Sequence, residues 1–472
     1  CVRITAFSQV LRCLSDGRVY SVNQRKENGS MTENYLTSIT PDSMSGLVFA
    51  FEGISKGLVL MNGPTGCKFY HSATSDNQMI RQPEFDPLEY PEFWYFGQSR
   101  VPSTFLDKRD YVYGSEDKLS EVIAFLEKEI DFDLLAIVNT PGAALIGDDI
   151  ERIVRESSRD EKKIISIGSP GYSLPIWDGY IKACRTLLEK FARSGKKLAG
   201  KTVNILGLSI FHRDFAGDKE ELKRAFSLCG IDVNCFLCAG SGISEIENIP
   251  RADLNIVIDS LYGLDSAEFL SARFNMPYIV CDGLPVGFKA MEELLSKVCG
   301  ILGSDMSSYI DQSERARAKC FSHLSRIHTL TGRPKGVKFA VHGSLSQCLG
   351  YTDFIASYFG MSPDVVSITE KDDLKDKIRS SSELSIQETK LKDILKDYGS
   401  SEALEKNIFD TDAELVFADG QTIAMLKAKG KRFSGVEIAL PSLGYIDVIE
   451  KSHLGIGGGL LICEQIINGM LY

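Results

Sequence analysis

Two stretches of the sequence put ligand-binding residue types where a parallel sheet could use them. Gly57-Leu-Val-Leu-Met61 is a short apolar run, and Asn62-Gly-Pro-Thr-Gly-Cys67 follows it. Gly63 and Gly66 permit a tight turn that presents Cys67 at the carboxyl end of a strand, the edge where open α/β sheets bind ligands. A cysteine so placed is either a thiolate ligand or a small buried hydrophobe. Near the other end of the chain, His453 comes just before Gly455-Ile-Gly-Gly-Gly459, a glycine-rich loop expected to precede a helix. Gly457 and its neighbours either let the backbone approach a ligand closely or let the last helix pack tightly. No Gly-Lys-Ser/Thr follows, and the GxGxxG register is missing, so the loop is not a nucleotide fingerprint.

Other signals have two readings each. Cys235-Phe-Leu-Cys238 is a CxxC, but structural zinc needs a second ligand pair and none is near. Gly240-Ser-Gly242 opens an expected helix, where Gly242 can cradle an anion. Tyr111-Val-Tyr-Gly-Ser-Glu-Asp-Lys-Leu119 reads as a strand end, a turn and a helix capped by Ser115. In Leu145-Ile-Gly-Asp-Asp-Ile-Glu151, Asp148 and Asp149 bind a cation or cap a helix. The six histidines, at 71, 212, 323, 328, 342 and 453, do not cluster in sequence, and each is expected at the surface or in the core. HExxH, the nucleophile elbow and the kinase set are absent.

The elements that must position these residues alternate. Buried strands are expected at 134–138, 163–167, 203–206, 254–258, 278–281, 337–341, 365–368, 415–417 and 436–440, besides 57–61. Amphipathic helices such as 118–130 and 219–229 lie between them. Near-continuous apolar strands alternating with helices imply an α/β fold with parallel sheets covered on both faces. Fresh starts at Lys201 and Gly336 place boundaries near Gly200 and Arg333. The expected organisation is an extension over 1–40 and three Rossmann-like domains over 41–200, 201–333 and 334–472. The charged stretch 370–407 reads as an exposed helical excursion.

Composition narrows the function classes. A net charge of −11 argues against a nucleic-acid partner. No apolar run is long enough to span a bilayer, and no secretory signal is visible. Twelve scattered cysteines in 472 residues point to reduced thiols rather than a disulfide scaffold, so a cytoplasmic protein is expected.

The order of the motifs resembles the nitrogenase component-1-type oxidoreductases, which include the molybdenum–iron protein subunits, their cofactor-assembly scaffolds and the dark-operative protochlorophyllide reductase subunits. The similar segments are Gly63–Cys67, Asp107–Leu119, Leu145–Glu151, Ser169-Pro-Gly-Tyr172 with Gly179-Tyr180, Val203–Gly207, Ile243–Glu247 with Ala252–Val257, and Gly459–Asn468. The resemblance implies a subunit of three Rossmann-like domains, paired as a homodimer or heterodimer and often tetrameric. It implies low-potential electrons from an ATP-dependent iron-protein-like reductase. An interface iron–sulfur cluster passes them to a second site, between the three domains, that holds a metal cofactor or tetrapyrrole.

The departures shape the expectation. Of the three cluster cysteines found in the fullest members, only Cys67 has a counterpart here. The others fall near Thr40 and at Thr140 or Pro141. A cubane cluster wants about four ligands, so the resemblance implies a 4Fe–4S cluster shared with a partner chain, either a homologous component-1 subunit or a second copy. The place of the cofactor cysteine is taken by Asp259, an expected proton donor or oxygen ligand, with helix capping as the other reading. Gly63, Gly66, Gly242, His453 and Gly457 are the expected cofactor-binding positions, and Cys67 the metal ligand. Dinitrogen reduction by this chain alone is not expected. The alternatives are a non-catalytic scaffold for metal-cofactor or tetrapyrrole assembly and a cluster-free binding module of the same fold.

Overall fold

The computed structural model describes residues 42–64, 101–171, 174–369, 377–378, 381–440 and 449–469. All fall in one compact unit, Pro41–Tyr472. The expected extension over 1–40, together with Gly66, Cys67, His71 and Tyr172, lies outside the described residues.

Three sheets follow one another along the chain, and every pairing within them is parallel. The first is preceded by helix α1 (Ser43–Glu52). Its strands are β1 (Gly57–Asn62), β2 (Leu134–Asn139) and β3 (Ile164–Ile167), in the order β1-β2-β3. Between them lie α2 (Asp110–Tyr113), α3 (Glu116–Glu129), α4 (Pro141–Ala144) and α5 (Ile150–Ser157), and α6 (Ile176–Phe191) leads out.

The second sheet has β4 (Thr202–Leu206), β5 (Asp232–Phe236), β6 (Leu254–Val257) and β7 (Tyr278–Val280) in the order β5-β4-β6-β7. Helices α7 (Phe215–Ser227), α8 (Ile243–Asn248) and α9 (Ser260–Phe274) connect them. Then α10 (Gly287–Leu302) and α11 (Ser307–Thr331) lead to the third sheet. There β8 (Lys338–Gly343), β9 (Ser362–Ile368), β10 (Leu415–Asp419) and β11 (Ser434–Ala439) lie in the order β11-β10-β8-β9. Its helices are α12 (Leu345–Phe359), α13 (Ser382–Asp397), α14 (Gly420–Ala428) and the last, α15 (Gly455–Gly469).

Every apolar run singled out in the sequence is a strand, within a few residues of its expected bounds. β1 and β2 are buried at every position, as parallel strands covered on both faces must be. β5 is the one described strand that the apolar runs do not announce. It is an edge strand, and Asp232, Val233 and Asn234 are not buried, so no continuous run marks it.

Four local expectations are corrected. The strand end expected at Tyr111 is the short helix α2. The glycines of 455–459 do not precede the last helix but form its first turn. An added Cβ at Gly458 would sit 2.0 Å from the His453 carbonyl, and one at Gly459 would sit 2.4 Å from the Phe288 ring. Close packing of α15 therefore fixes those two glycines. The stretch within 370–407 is not simply exposed, since α13 buries Leu384, Gln387, Leu391 and Leu395. Gln387 Nε2 donates to the Cys281 carbonyl and to Ser260 Oγ, each at 2.8 Å, tying the third sheet's helix to the end of β7. Finally, the histidines do not all stand apart, since His212 and His342 line the same cavity.

Candidate functional site

The carboxyl ends of β1 and β2 carry a buried polar network that fixes Gly63, the first residue of the Gly-Cys motif. Asn62 and Asn139 are register partners, and Asn62 Nδ2 donates to Asn139 Oδ1 at 2.8 Å. Thr104 Oγ1 donates to Asn62 Oδ1 at 2.9 Å and itself accepts from the Gly63 N–H at 3.0 Å. The Gly63 carbonyl accepts from Ser103 Oγ at 2.9 Å. A Cβ at Gly63 would lie 2.3 Å from the Thr140 methyl and 2.4 Å from its hydroxyl, so only glycine fits. A buried network with its members satisfied specifies one geometry, and here it fixes Gly63, four positions before Cys67 in the sequence.

The flanking acids divide their work. Asp149 caps α5 by accepting from Arg152 N. Asp148 Oδ2 instead accepts from both the N–H and the hydroxyl of Ser115, each at 2.7 Å, so Ser115 does not cap α3 with its own side chain. Around this strand end, Phe105, Val112, Tyr113 and Leu145 expose apolar surface. They belong to neighbouring segments, since Lys118 Nζ reaches the Phe105 carbonyl and the Tyr111 ring lies against Gly142.

A second site forms where the other two sheets face each other. In the second sheet the order reverses between β4 and β6, and in the third between β8 and β10. Connections leave such neighbouring strands in opposite directions and open a crevice at their carboxyl ends. Residues from both crevices line one cavity of about 120 Å³, including His212, His342, Ser344 and Asp419, with Phe211 and Tyr262 as its aromatic wall. These four polar residues come from three segments far apart in sequence, with His342 and Ser344 two positions apart, and the strand order joins them. Their signal was position: each lies in or after a strand next to an order reversal.

The two histidines are held differently. His212 Nδ1 lies 3.2 Å from both the N–H and the carbonyl of Ser209, and it is the Asp259 carboxylate, 3.5 Å from Nε2, that favours a proton on Nε2. His342 Nδ1 lies 3.1 Å from the Ser367 carbonyl, which assigns its proton to Nδ1 and leaves Nε2 as acceptor, 3.9 Å from Asp419 Oδ2. Burial holds the His342 imidazole below its ordinary value, against the opposing pull of Asp419 and the Ser367 carbonyl. One imidazole is thus arranged as a donor and the other as an acceptor.

Asp259 does not line the cavity. It is fully buried and caps α9, with Oδ1 accepting from Leu261 N at 2.9 Å. Its Oδ2 accepts from Ser344 Oγ at 2.8 Å, so one carboxylate clamps the ends of β6 and β8 together and orients His212. His453 is also buried and lies in another cluster. Its Nδ1 is 2.6 Å from the Tyr351 hydroxyl and 3.6 Å from Asp214 Oδ2, and its N–H donates to Asp218 Oδ1. The Gly457 N–H donates to Glu221 Oε1 at 3.1 Å. The Gly242 N–H donates to Glu245 Oε2 at 3.1 Å, at the start of the six-residue helix α8. Both amides are thus engaged by carboxylates of their own chain.

The nine described cysteines are all buried. Cys238 faces Cys184 at 3.6 Å rather than Cys235, its CxxC partner, and burial pushes the Cys235 thiol up to about 12. Such thiols behave as core residues. Among the described residues no three His, Cys, Asp or Glu side chains converge as metal ligands. They do not hold a cluster by themselves. The cavity is also several-fold smaller than the roughly 300–1,000 Å³ of sites for larger ligands, so its described walls do not fit a tetrapyrrole. No helix among the described residues is long and apolar enough to cross a membrane.

Known proteins share both sequence and architecture with this chain. It is 25% identical over 320 residues to a light-independent protochlorophyllide reductase subunit of Leptolyngbya boryana, covering 64% of this chain and 58% of that one. The corresponding protein of Chlorokybus atmophyticus is likewise 25% identical over 321 residues, covering 64% and 59%. The chain therefore spans less than two thirds of the length of these relatives. Solved structures of nitrogenase Cp1 share the fold. At pH 6.5 the TM-score is 0.71 with 16% identity, covering 95% of both chains, and at pH 5 it is 0.67 with 17% identity, covering 95% and 90%. The family model for nitrogenase component 1 type oxidoreductases matches residues 43–471, nearly all of the described unit. The chain belongs to the nitrogenase component 1 type oxidoreductase family.

Proposed function

We propose that the chain is a subunit of a nitrogenase-like, iron–sulfur-dependent reductase, with its domains bounded near residues 200 and 333. It receives low-potential electrons from an ATP-dependent iron-protein-like partner. The observation that carries this reading is the satisfied network that locks Gly63, four positions before Cys67 in the sequence, at the strand ends of the first sheet. Cys67 would be this chain's ligand to a 4Fe–4S cluster, with the other ligands supplied by a homologous chain seated on the apolar edge formed by Phe105, Val112, Tyr113 and Leu145. Such a cluster supplies one-electron steps.

This chain's residues handle protons and position. His212 holds a proton at Nε2 under the control of Asp259, and His342 offers a neutral Nε2. Ser344 and Asp259 keep the second and third sheets in register across the cavity. The cavity suits a small substrate of a few heavy atoms, and any larger one would need walls other than those described.

The partner is tested by anoxic purification of the tagged chain from its native host. A homologous chain is expected in equal amount, and Tyr113→Asp with Leu145→Asp is expected to release it while leaving the melting temperature unchanged. Both positions are exposed, so folding is not at stake. A wild-type chain that purifies alone under these conditions contradicts the shared-site reading.

A further inference from the structure

Six of the nine described cysteines stand in three facing pairs, each joining residues far apart in sequence. Cys184 meets Cys238 at 3.6 Å, Cys229 is hydrogen-bonded to Cys299, and Cys320 to Cys463. Burial pushes the Cys238, Cys229 and Cys299 thiols up, Cys229 to about 12, which leaves them weak nucleophiles.

The third pair is built differently. Cys320 lies on α11 and Cys463 on α15, both buried where these helices pack. The Cys463 thiol and the Tyr358 hydroxyl both donate to the Cys320 sulfur. Burial and the two adjacent thiols hold the Tyr358 hydroxyl above its ordinary value, so it stays protonated as a donor. The Lys319 ammonium stands near Cys320, and the Glu464 carboxylate near Cys463. The bond from Cys463 does most to hold the Cys320 thiol below its ordinary value, against burial and with help from Tyr358 and Lys319. Cys463 is pushed up by its bond to Cys320, by burial and by Glu464. One sulfur is thus prepared as a thiolate, with a protonated partner in contact with it. That is the arrangement of an oxidisable cysteine beside a resolving one. The pair also lies just beneath the surface. Each cysteine is 3% exposed, but Lys319, Phe321 and Glu464 beside them are exposed and Tyr358 is half-buried. A local opening, rather than global unfolding, admits an oxidant of two heavy atoms.

We propose that Cys320 and Cys463 form a peroxide-oxidised site, with Cys320 the attacked sulfur and Cys463 the resolving one. The Cys320 thiolate attacks one oxygen of hydrogen peroxide. The O–O bond breaks, hydroxide leaves and takes up the proton that Cys320 released, and Cys320 becomes a sulfenic acid. The Cys463 sulfur then attacks the Cys320 sulfur. The S–O bond breaks, and water leaves with the Cys463 proton. Two thiols and one peroxide give one disulfide and two waters, and two electrons pass from sulfur to peroxide. The new bond joins α11, before the third sheet, to α15, after it, and so closes β8 to β11 within one covalent loop. Neither Cys67 nor the cavity of His212 and His342 takes part.

The test treats the native complex with stoichiometric hydrogen peroxide, traps remaining thiols by alkylation and reads each cysteine by peptide mass. The Cys320–Cys463 disulfide is expected at least about tenfold faster than one at Cys184–Cys238 or Cys229–Cys299. It is expected to raise the melting temperature, and dithiothreitol is expected to reverse it. Cys463→Ala is expected to stop at a Cys320 sulfenic acid that dimedone captures, and Cys320→Ala to give neither product. Tyr358→Phe keeps the ring, loses the donor and is expected to slow the reaction about threefold. Equal rates at the three pairs would mean that oxidation merely follows unfolding, and would overturn the proposal. Dimedone capture at Cys463 in Cys320→Ala, or no oxidation of Cys320 in wild type, would overturn it as well. The comparison of the three pairs needs no substitution, so it decides even where an alanine variant does not fold.

Discussion

Valine at position 179 is expected to abolish stable folding of the first sheet layer. Helices α1 and α6 cross with their backbones in contact. A Cβ at Gly179 would lie 1.8 Å from the Ser43 carbonyl oxygen, and one at Gly46 would lie 1.9 Å from that of Ile176. Both obstacles are main chain, so no rotamer change relieves them, and the helices must separate. The crossing is flanked by Leu47, Phe51, Trp177 and Tyr180, all buried, and separation opens voids among them. Overpacking a dense core usually costs about 1–3 kcal/mol. With a rigid carbonyl as the obstacle, about 3 kcal/mol or more is expected for Gly179→Val. Denaturant unfolding and the soluble fraction on expression measure it, and a midpoint close to wild type would show that the helices are not in backbone contact. The same crossing packs against the second sheet, because the hydroxyl of Tyr180 reaches the Leu237 carbonyl at 3.4 Å. Loss of the crossing therefore also disturbs the placement of β1, which ends at Asn62.

Asparagine at position 218 is expected to do the opposite and stabilise the protein at alkaline pH. Burial pushes the Asp218 carboxyl from its ordinary 3.8 up to about 7, and the nearby Asp214 carboxylate adds to the effect. Below about pH 3.8 both folded and unfolded chains hold this proton, and the group is neutral in its effect. Between about 3.8 and 7 the unfolded chain ionises while the folded chain keeps its proton, so stability falls as pH rises. Above about pH 7 the full penalty applies, on the order of 4 kcal/mol. Ser452 Oγ and the His453 N–H both donate to Oδ1, so asparagine retains both bonds through its single carbonyl oxygen. Asp218→Asn should match wild type near pH 4 and gain steadily to pH 8. Parallel stability curves for the two proteins would refute this account of the cluster.

The parallel architecture is readable from the apolar runs because strands buried on both faces leave few polar positions, as in Leu134-Leu-Ala-Ile-Val138. β5 escaped because an edge strand keeps Asp232 and Asn234. Asp259 is legible as a strand-end acid, and the structure shows capping joined to a clamp on Ser344. What no local pattern reveals is the partnership of His212 and His342, 130 positions apart by number and joined only because the strand order reverses in two facing sheets. The glycines of 455–459 illustrate the converse limit. Ligand approach and helix packing demand the same residue, and only the contacts of Gly458 with His453 and of Gly459 with Phe288 separate them.

The central claim is that this chain lends Cys67 to a cluster shared with another chain. The most direct measurement is the iron and acid-labile sulfide content of the anoxically purified complex, for wild type and for Cys67→Ala. The account predicts about four irons and four sulfides per shared site in wild type, as a cubane requires, and their loss in the variant with the chains still folded and associated. Wild-type complex free of iron under strict anoxia, or a variant that keeps its full complement, would contradict it.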